Sequence, residues 1–268
     1  EEHLIEGKLH GTQSTWYSNG QIETEENYKN DKRDGVCKYW YENGQQGSIE
    51  NYKDDLQHGK ITQWFENGNQ KIIQHQKNGK SHGYFKIWYE NGNPKSEENW
   101  TDGINDSEQT AWHENGNIKA KLNYKGGVLH GKQSYFDDSG KLTQINNLVN
   151  GVGEGKQSYF NEDGNLKGEW NYINGTQEGM VTTFHENGQK QTEAVFIKDE
   201  KKQGKSSDWF EDGQLKCLEN YIDDIRDGEN SYFHENGQLY IKENYRLGVL
   251  HGPKTQWYEN GSLKFEEV

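Results

Sequence analysis

Proline is nearly absent from this 268-residue chain: it has two, against thirty-two glycines, and cysteine also numbers two. Two thiols give no disulfide framework. Leu, Ile, Val and Phe together number 46, about 17% of the chain, too few for a thick aliphatic core. No apolar run approaches the ~20 residues that a membrane-crossing helix requires. Cations are in the minority, 30 Lys and Arg against 44 Asp and Glu, for a net charge of −14. Such a surface repels phosphate backbones and anionic lipid, so neither a nucleic-acid partner nor direct membrane insertion is expected. A chain so acidic and so poor in aliphatics would ordinarily be disordered. Aromatics argue otherwise: nine Trp and sixteen Tyr are more than disordered chains carry.

The glycines are periodic. One series runs Gly20, Gly44, Gly68, Gly92 and onward to Gly261, in steps of 24 with a single step of 25 between Gly188 and Gly213. A second runs Gly11, Gly35, Gly59, Gly83 and onward to Gly252, with Ser107 standing in once. The whole chain, residues 1–268, therefore reads as one array: a partial repeat over 1–10, then eleven repeats starting at residue 11, the last incomplete. The second-series glycine is position 1 of each repeat.

Position 6 is aromatic in all eleven: Trp16, Trp40, Trp64, Trp88, Trp112, Phe136, Phe160, Phe184, Trp209, Phe233 and Trp257. Position 12 is often Ile or Leu, and position 18 is usually aromatic, as in Tyr28, Tyr52 and Trp100. Even separations place positions 4, 6, 12 and 18 on one face of extended strands. Position 6 is therefore expected to form the stacked core ladder. Between the strands sits Glu-Asn-Gly or a relative. A three-residue loop ending in a left-handed Gly would pair position 6 with 12 and 4 with 14. Positions 19–24 form a longer polar connection, which also holds the one inserted residue, at Lys198–Lys202. The expected fold is all-β: an elongated single-layer array of eleven stacked antiparallel hairpins, each burying its neighbour's aromatics.

Trp-Tyr-x-Asn-Gly, a Gly nine residues earlier and Tyr-x-x-Gly downstream resemble the MORN-variant (bacterial-type MORN-2) repeat family, for example across Gly83–Gly92 and His251–Gly261. The resemblance covers essentially the whole chain. It implies a hairpin-repeat scaffold or adaptor, with an antitoxin component as one such role, and it carries no catalytic residues.

The polar residues bear this out by repetition. A catalytic site needs a unique convergent set, whereas every polar group here recurs along the array. No enzyme, cofactor or metal is expected. Five histidines (His10, His58, His82, His130, His251) precede the position-1 residue and read as turn residues, since equivalent positions lie ~10 Å apart while zinc ligands must converge. Position 8 is acidic in ten repeats, and lysines at position 13 are expected to offset that row. Cys37 and Cys217, seven repeats apart, are expected to stay unbridged.

Two function classes stay open. One is a scaffold binding a protein partner with a basic, apolar surface. The other is a glycan-binding aromatic module. For the first, the candidate surface is Tyr17, Tyr41, Phe65 and Tyr89, successive aromatics at position 7 that face away from position 6. Open sheet edges further predict a fragment of a longer array, or end-to-end self-association.

Overall fold

The computed structural model describes residues 4–267, nearly all in antiparallel β-strands. They fall into two compact units. The first reaches Gly131 and takes in Phe136–Gly140; the second comprises Lys132–Tyr135 and the chain from Lys141 onward. Both use the same hairpin. In the first unit Gly11–Trp16 pairs with Ile22–Lys29, which pairs in turn with Gly35–Trp40. In the second, Gly155–Phe160 pairs with Leu166–Ile173, which pairs with Thr176–Phe184.

The first connection is the expected three-residue loop. Tyr17 N–H donates to Gln21 O at 2.8 Å and Gly20 N–H to Tyr17 O at 3.0 Å, with Gly20 at φ +85°. Trp16 opposes Ile22. Beyond that pair the register departs from expectation, because position 13 bulges out. Thr15 then opposes Thr24 and Ser14 opposes Glu25, so position 4 faces 15 rather than 14. The same shift recurs after Trp40, Trp112, Phe160 and Phe233.

One slipped residue exchanges the faces of a strand. Positions 14, 16 and 18 therefore share a face with 5, 3 and 1, and not with 6. Most buried residues follow this assignment, Thr62, Ser158, Thr182 and Ser231 at position 4 being buried on the other face. In the first unit those that follow it include Cys37 and Ile61 at position 3, Ser48, Ser96 and Ala120 at 14, and Glu98 at 16. In the second they include Gln133, Gln157, Val181 and Asn230 at position 3 and Ala194, Glu219 and Glu243 at 16. The position-6 aromatics lie on the opposite face, where ten are half-buried and Trp16 is 53% exposed. Both cysteines are free thiols and buried.

The second connection is shorter than expected. Lys29 pairs with Lys32 around a two-residue turn, Asn30-Asp31, at φ +51° and +68°. Asn and Asp tolerate that left-handed region, which makes them hairpin-turn residues. The inserted residue does fall in this connection, as a 3-10 turn over Lys198–Glu200. In the partial first repeat, Leu4–Ile5 pairs with Lys8–Leu9. Residues 1–3 and Val268 lie outside the described residues.

Candidate functional site

Most of the recurrent polar side chains stitch one repeat to the next. Tyr17, Tyr41 and Tyr89 are half-buried, and their hydroxyls donate to the backbone carbonyls of Trp40, Trp64 and Trp112, each one repeat ahead, at 2.7, 2.9 and 2.9 Å. His113, His185 and His234 use Nε2 in the same way. Phe65 has no polar atom and instead lies under Lys71 Nζ, 5.5 Å from its ring centroid. The same stacking places Lys95 on Tyr89, Lys216 on Phe210 and Lys264 on Tyr258. Four position-13 lysines therefore cover position-7 rings, and among the described residues none of the four is ion-paired with the acidic row. Their bulged backbone sets them beside those rings. The position-8 carboxylates stay exposed.

Asparagine supplies two further links. Asn19, Asn43 and Asn67 in the loops donate to the carbonyls of Glu42, Glu66 and Glu90. Asn27 and Asn220 at position 17 donate to the carbonyls of Val36 and Glu229 in the following repeat. Gly35 is needed beside the first of these, since a Cβ there would lie 3.3 Å from Asn27 Cβ at φ +115°. Residues before position 1 close the other edge: Asp106 Oδ1 accepts Gly126 N–H at 2.7 Å and Glu154 Oε2 accepts Asn174 N–H at 2.8 Å. His58 and His82 sit in the equivalent place, 3.1 Å from Asn78 Oδ1 and 3.2 Å from Asp102 Oδ1. Among the described residues, no three His, Cys, Asp or Glu side chains converge as metal ligands.

The groups with unusual chemistry are carboxylates buried at position 16. Glu219 accepts Tyr221 Oη at 2.7 Å, Tyr232 Oη at 2.6 Å and Arg226 Nη2 at 2.6 Å. Burial pushes its pKa up, but the two phenols and the guanidinium outweigh that and hold it below the usual range. Glu243 is likewise lowered: burial opposes it, while Lys254 Nζ at 2.6 Å and Tyr245 Oη at 2.8 Å prevail. Glu98 goes the other way. It accepts Trp100 Nε1 at 2.9 Å and Gln109 Nε2 at 2.8 Å, both neutral donors, and burial raises its pKa despite Trp100 and Ser96. The tyrosines pay the complementary cost: burial, then hydrogen bonding to Glu50, pushes Tyr52 up to about 12.

These carboxylates are legible in the sequence as a triplet, Glu-Asn-Tyr or Glu-Asn-Trp, at residues 26–28, 50–52, 98–100, 219–221 and 243–245. Reading position 18 as an apolar face conceals it, because the phenol's polar end is what the repeat uses.

The family described as MORN repeat variant matches the chain ten times, at residues 9–30, 33–54, 81–102, 105–125, 129–150, 153–174, 177–198, 202–223, 226–246 and 250–268. Between these lies an unmatched hairpin, Gly59–Trp64 with Gln70–Lys77, which has the same bulged register but carries Gln74 and Gln76 at positions 16 and 18. No curated protein matches the chain. Among solved structures, the chain is similar to part of a crystal structure of TcdB2-TccC3-Cdc42, at 11% identity and TM-score 0.23, over 98% of this chain and 16% of that one. It is also similar to part of the Photorhabdus luminescens Tc holotoxin pore, at 11% identity and TM-score 0.24, over 97% and 16%. The chain thus spans 16% of the length of either.

Proposed function

The chain belongs to the MORN repeat variant family, and from that premise we propose that it is a non-catalytic scaffold that binds a protein partner, tethering or neutralising it as an antitoxin does. The observation that carries this reading lies on the two-residue turns of the second unit. Val149 pairs with Val152 across one turn and Ile222 with Ile225 across another, all between 45% and 48% exposed. Ile173 and Val249 on other turns are 41% and 68% exposed. Aliphatic side chains exposed on successive turns mark a recognition surface more readily than scattered ones do. Asp223 and Asp224 are exposed in the same turn as Ile222 and Ile225, which suits a partner combining apolar and basic groups. The position-7 rings are a weaker surface, since their tips are engaged within the chain.

A glycan module would need aromatic faces free for stacking. Lys86 Nζ lies 5.4 and 5.8 Å from the Trp88 and Trp112 centroids, and Lys190 Nζ 5.5 Å from that of Trp209. The chain's own cations occupy those faces, which favours the protein partner.

The test is quantitative capture from the source cells with the wild type and with Ile222→Ser/Ile225→Ser. One partner should be enriched by the wild type and lost with the variant at unchanged melting temperature. Equal recovery by both, or none above an unrelated acidic protein, would count against the reading.

A further inference from the structure

Repeats of one fold allow the same place to be compared several times within one chain. At position 23 a cation recurs beneath the position-18 ring of the following repeat. Arg33 Cζ lies 4.0 Å from the Tyr52 centroid, Lys202 Nζ 5.0 Å from that of Tyr221, and Arg226 Cζ 5.6 Å from that of Tyr245. Arg226 also reaches the carboxylate at position 16 of its own repeat, Glu219. Carboxylate, cation and ring therefore form a three-part sandwich.

Across the fourth and fifth repeats the carboxylate and the ring recur, but position 23 carries no cation. Glu98 holds the carboxylate position and is 9% exposed; Tyr124 holds the ring position. Position 23 is Asn105, whose Oδ1 accepts Ser107 N–H and Oγ–H, both at 3.2 Å. Among the described residues, Glu98 has only neutral hydrogen-bond donors. Beside it lies a cavity of about 340 Å³, bordered by Glu98, Trp100, Asn105, Gln109 and Tyr124. Its rim is formed by Ile104 and the turn glycines Gly103, Gly126 and Gly127. Turns without side chains leave the approach open. Ile104, 50% exposed, offers an apolar wall for an alkyl stem.

We propose that this cavity binds a guanidinium group, which takes between Glu98 and Tyr124 the place that Arg226 fills between Glu219 and Tyr245. A planar guanidinium suits the site better than a compact ammonium, because it can present its edge to the carboxylate and its face to the ring. A buried carboxylate held only by neutral donors gains most from such a partner. The raised pKa of Glu98, caused by burial, agrees with a carboxylate that lacks its counterion. The inference is independent of the turn-edge surface, and its failure leaves the scaffold reading intact.

The test is isothermal titration of the full chain with N-acetyl-arginine amide at constant ionic strength, with N-acetyl-lysine amide in parallel. The wild type should bind one equivalent of the arginine compound at least tenfold more tightly than the lysine compound. Glu98→Gln should abolish this binding while keeping an acceptor for Trp100. Asn105→Arg should fill the cavity from within, abolish binding and raise the melting temperature. No saturable heat from the folded wild type would overturn the proposal, as would binding unchanged in either folded variant.

Discussion

Arg226 donates from Nη2 to Glu219 Oε1 at 2.6 Å, joining a half-exposed cation to a carboxylate whose side chain is only 10% exposed. At the equivalent place position 23 is Asn105, and among the described residues Glu98 has only neutral hydrogen-bond donors. The two carboxylates should therefore respond oppositely to neutralisation. The folded-state pKa of Glu219 is lowered, so its contribution is present above the ordinary carboxylate value and is lost as pH falls through the lowered one. Glu219→Gln should cost about 1–3 kcal/mol at pH 7, discounted for the exposure of Arg226, and converge with the wild type as pH falls through that lowered value. The folded-state pKa of Glu98 is raised, so its contribution is present below the ordinary value and is lost as pH rises through the raised one. Glu98→Gln should leave the pH 7 melting temperature unchanged or higher. Urea denaturation across a pH series from 7 into acid measures each difference.

The position-7 tyrosines should behave as structural residues. Tyr41→Phe removes the donor to Trp64 O and should cost about 1 kcal/mol. Tyr41→Ser/Phe65→Ser removes two half-buried rings and should cost about 2–5 kcal/mol. A double variant that melts like the wild type yet loses a partner would restore these rings as a binding surface.

Asn230 has an unsatisfied amide. Its Oδ1 accepts Asn220 N–H at 2.8 Å, while its buried Nδ2 has no partner among the described residues. Gln157, at the same repeat position, makes both bonds to the Asn147 backbone, at 2.8 and 2.9 Å. Asn230→Gln should reach the Asn220 carbonyl and add about 1 kcal/mol. A lower denaturation midpoint would show that the longer side chain does not fit there.

Both thiols should be inert in the native state. Burial pushes Cys37 up, and burial with the nearby Asp208 carboxylate pushes Cys217 up to about 12. Little thiolate then forms at pH 8. A chromogenic disulfide reagent should label neither until denaturant is added, and non-reducing mass spectrometry should find no bridge between them. Stoichiometric labelling of the folded chain would contradict the assignment.

Much of the hairpin is legible in the sequence. The Asn-Gly loops specify the pairing of Trp16 with Ile22, and the extra residue near Lys198 identifies the tolerant connection. The bulge is not legible, because position 13 is Lys in six repeats and Glu23, Gly47, Thr143, Gln191 and Tyr240 in the others, and a lysine does not by itself mark a bulge. Missing it moves position 18 to the wrong face and hides the carboxylates that its phenols hold. Nor does sequence spacing show that Tyr17 reaches a carbonyl one repeat away, since that contact exists only once neighbouring hairpins are stacked.

The buried carboxylates, the Glu98 cavity and the repeat-to-repeat links all depend on position 3 facing position 16 across the bulge. In the second repeat this sets Cys37 opposite Glu50, whereas an unbulged hairpin would set it opposite Ile49. The direct measurement is bridging of Cys37 in Glu50→Cys and in Ile49→Cys by a reagent that fluoresces only when it spans two thiols, located by peptide mapping. Opposed side chains lie about 5 Å apart at Cβ, within such a reagent's span. The account predicts a bridge between residues 37 and 50 and none between 37 and 49; the reverse result would contradict it.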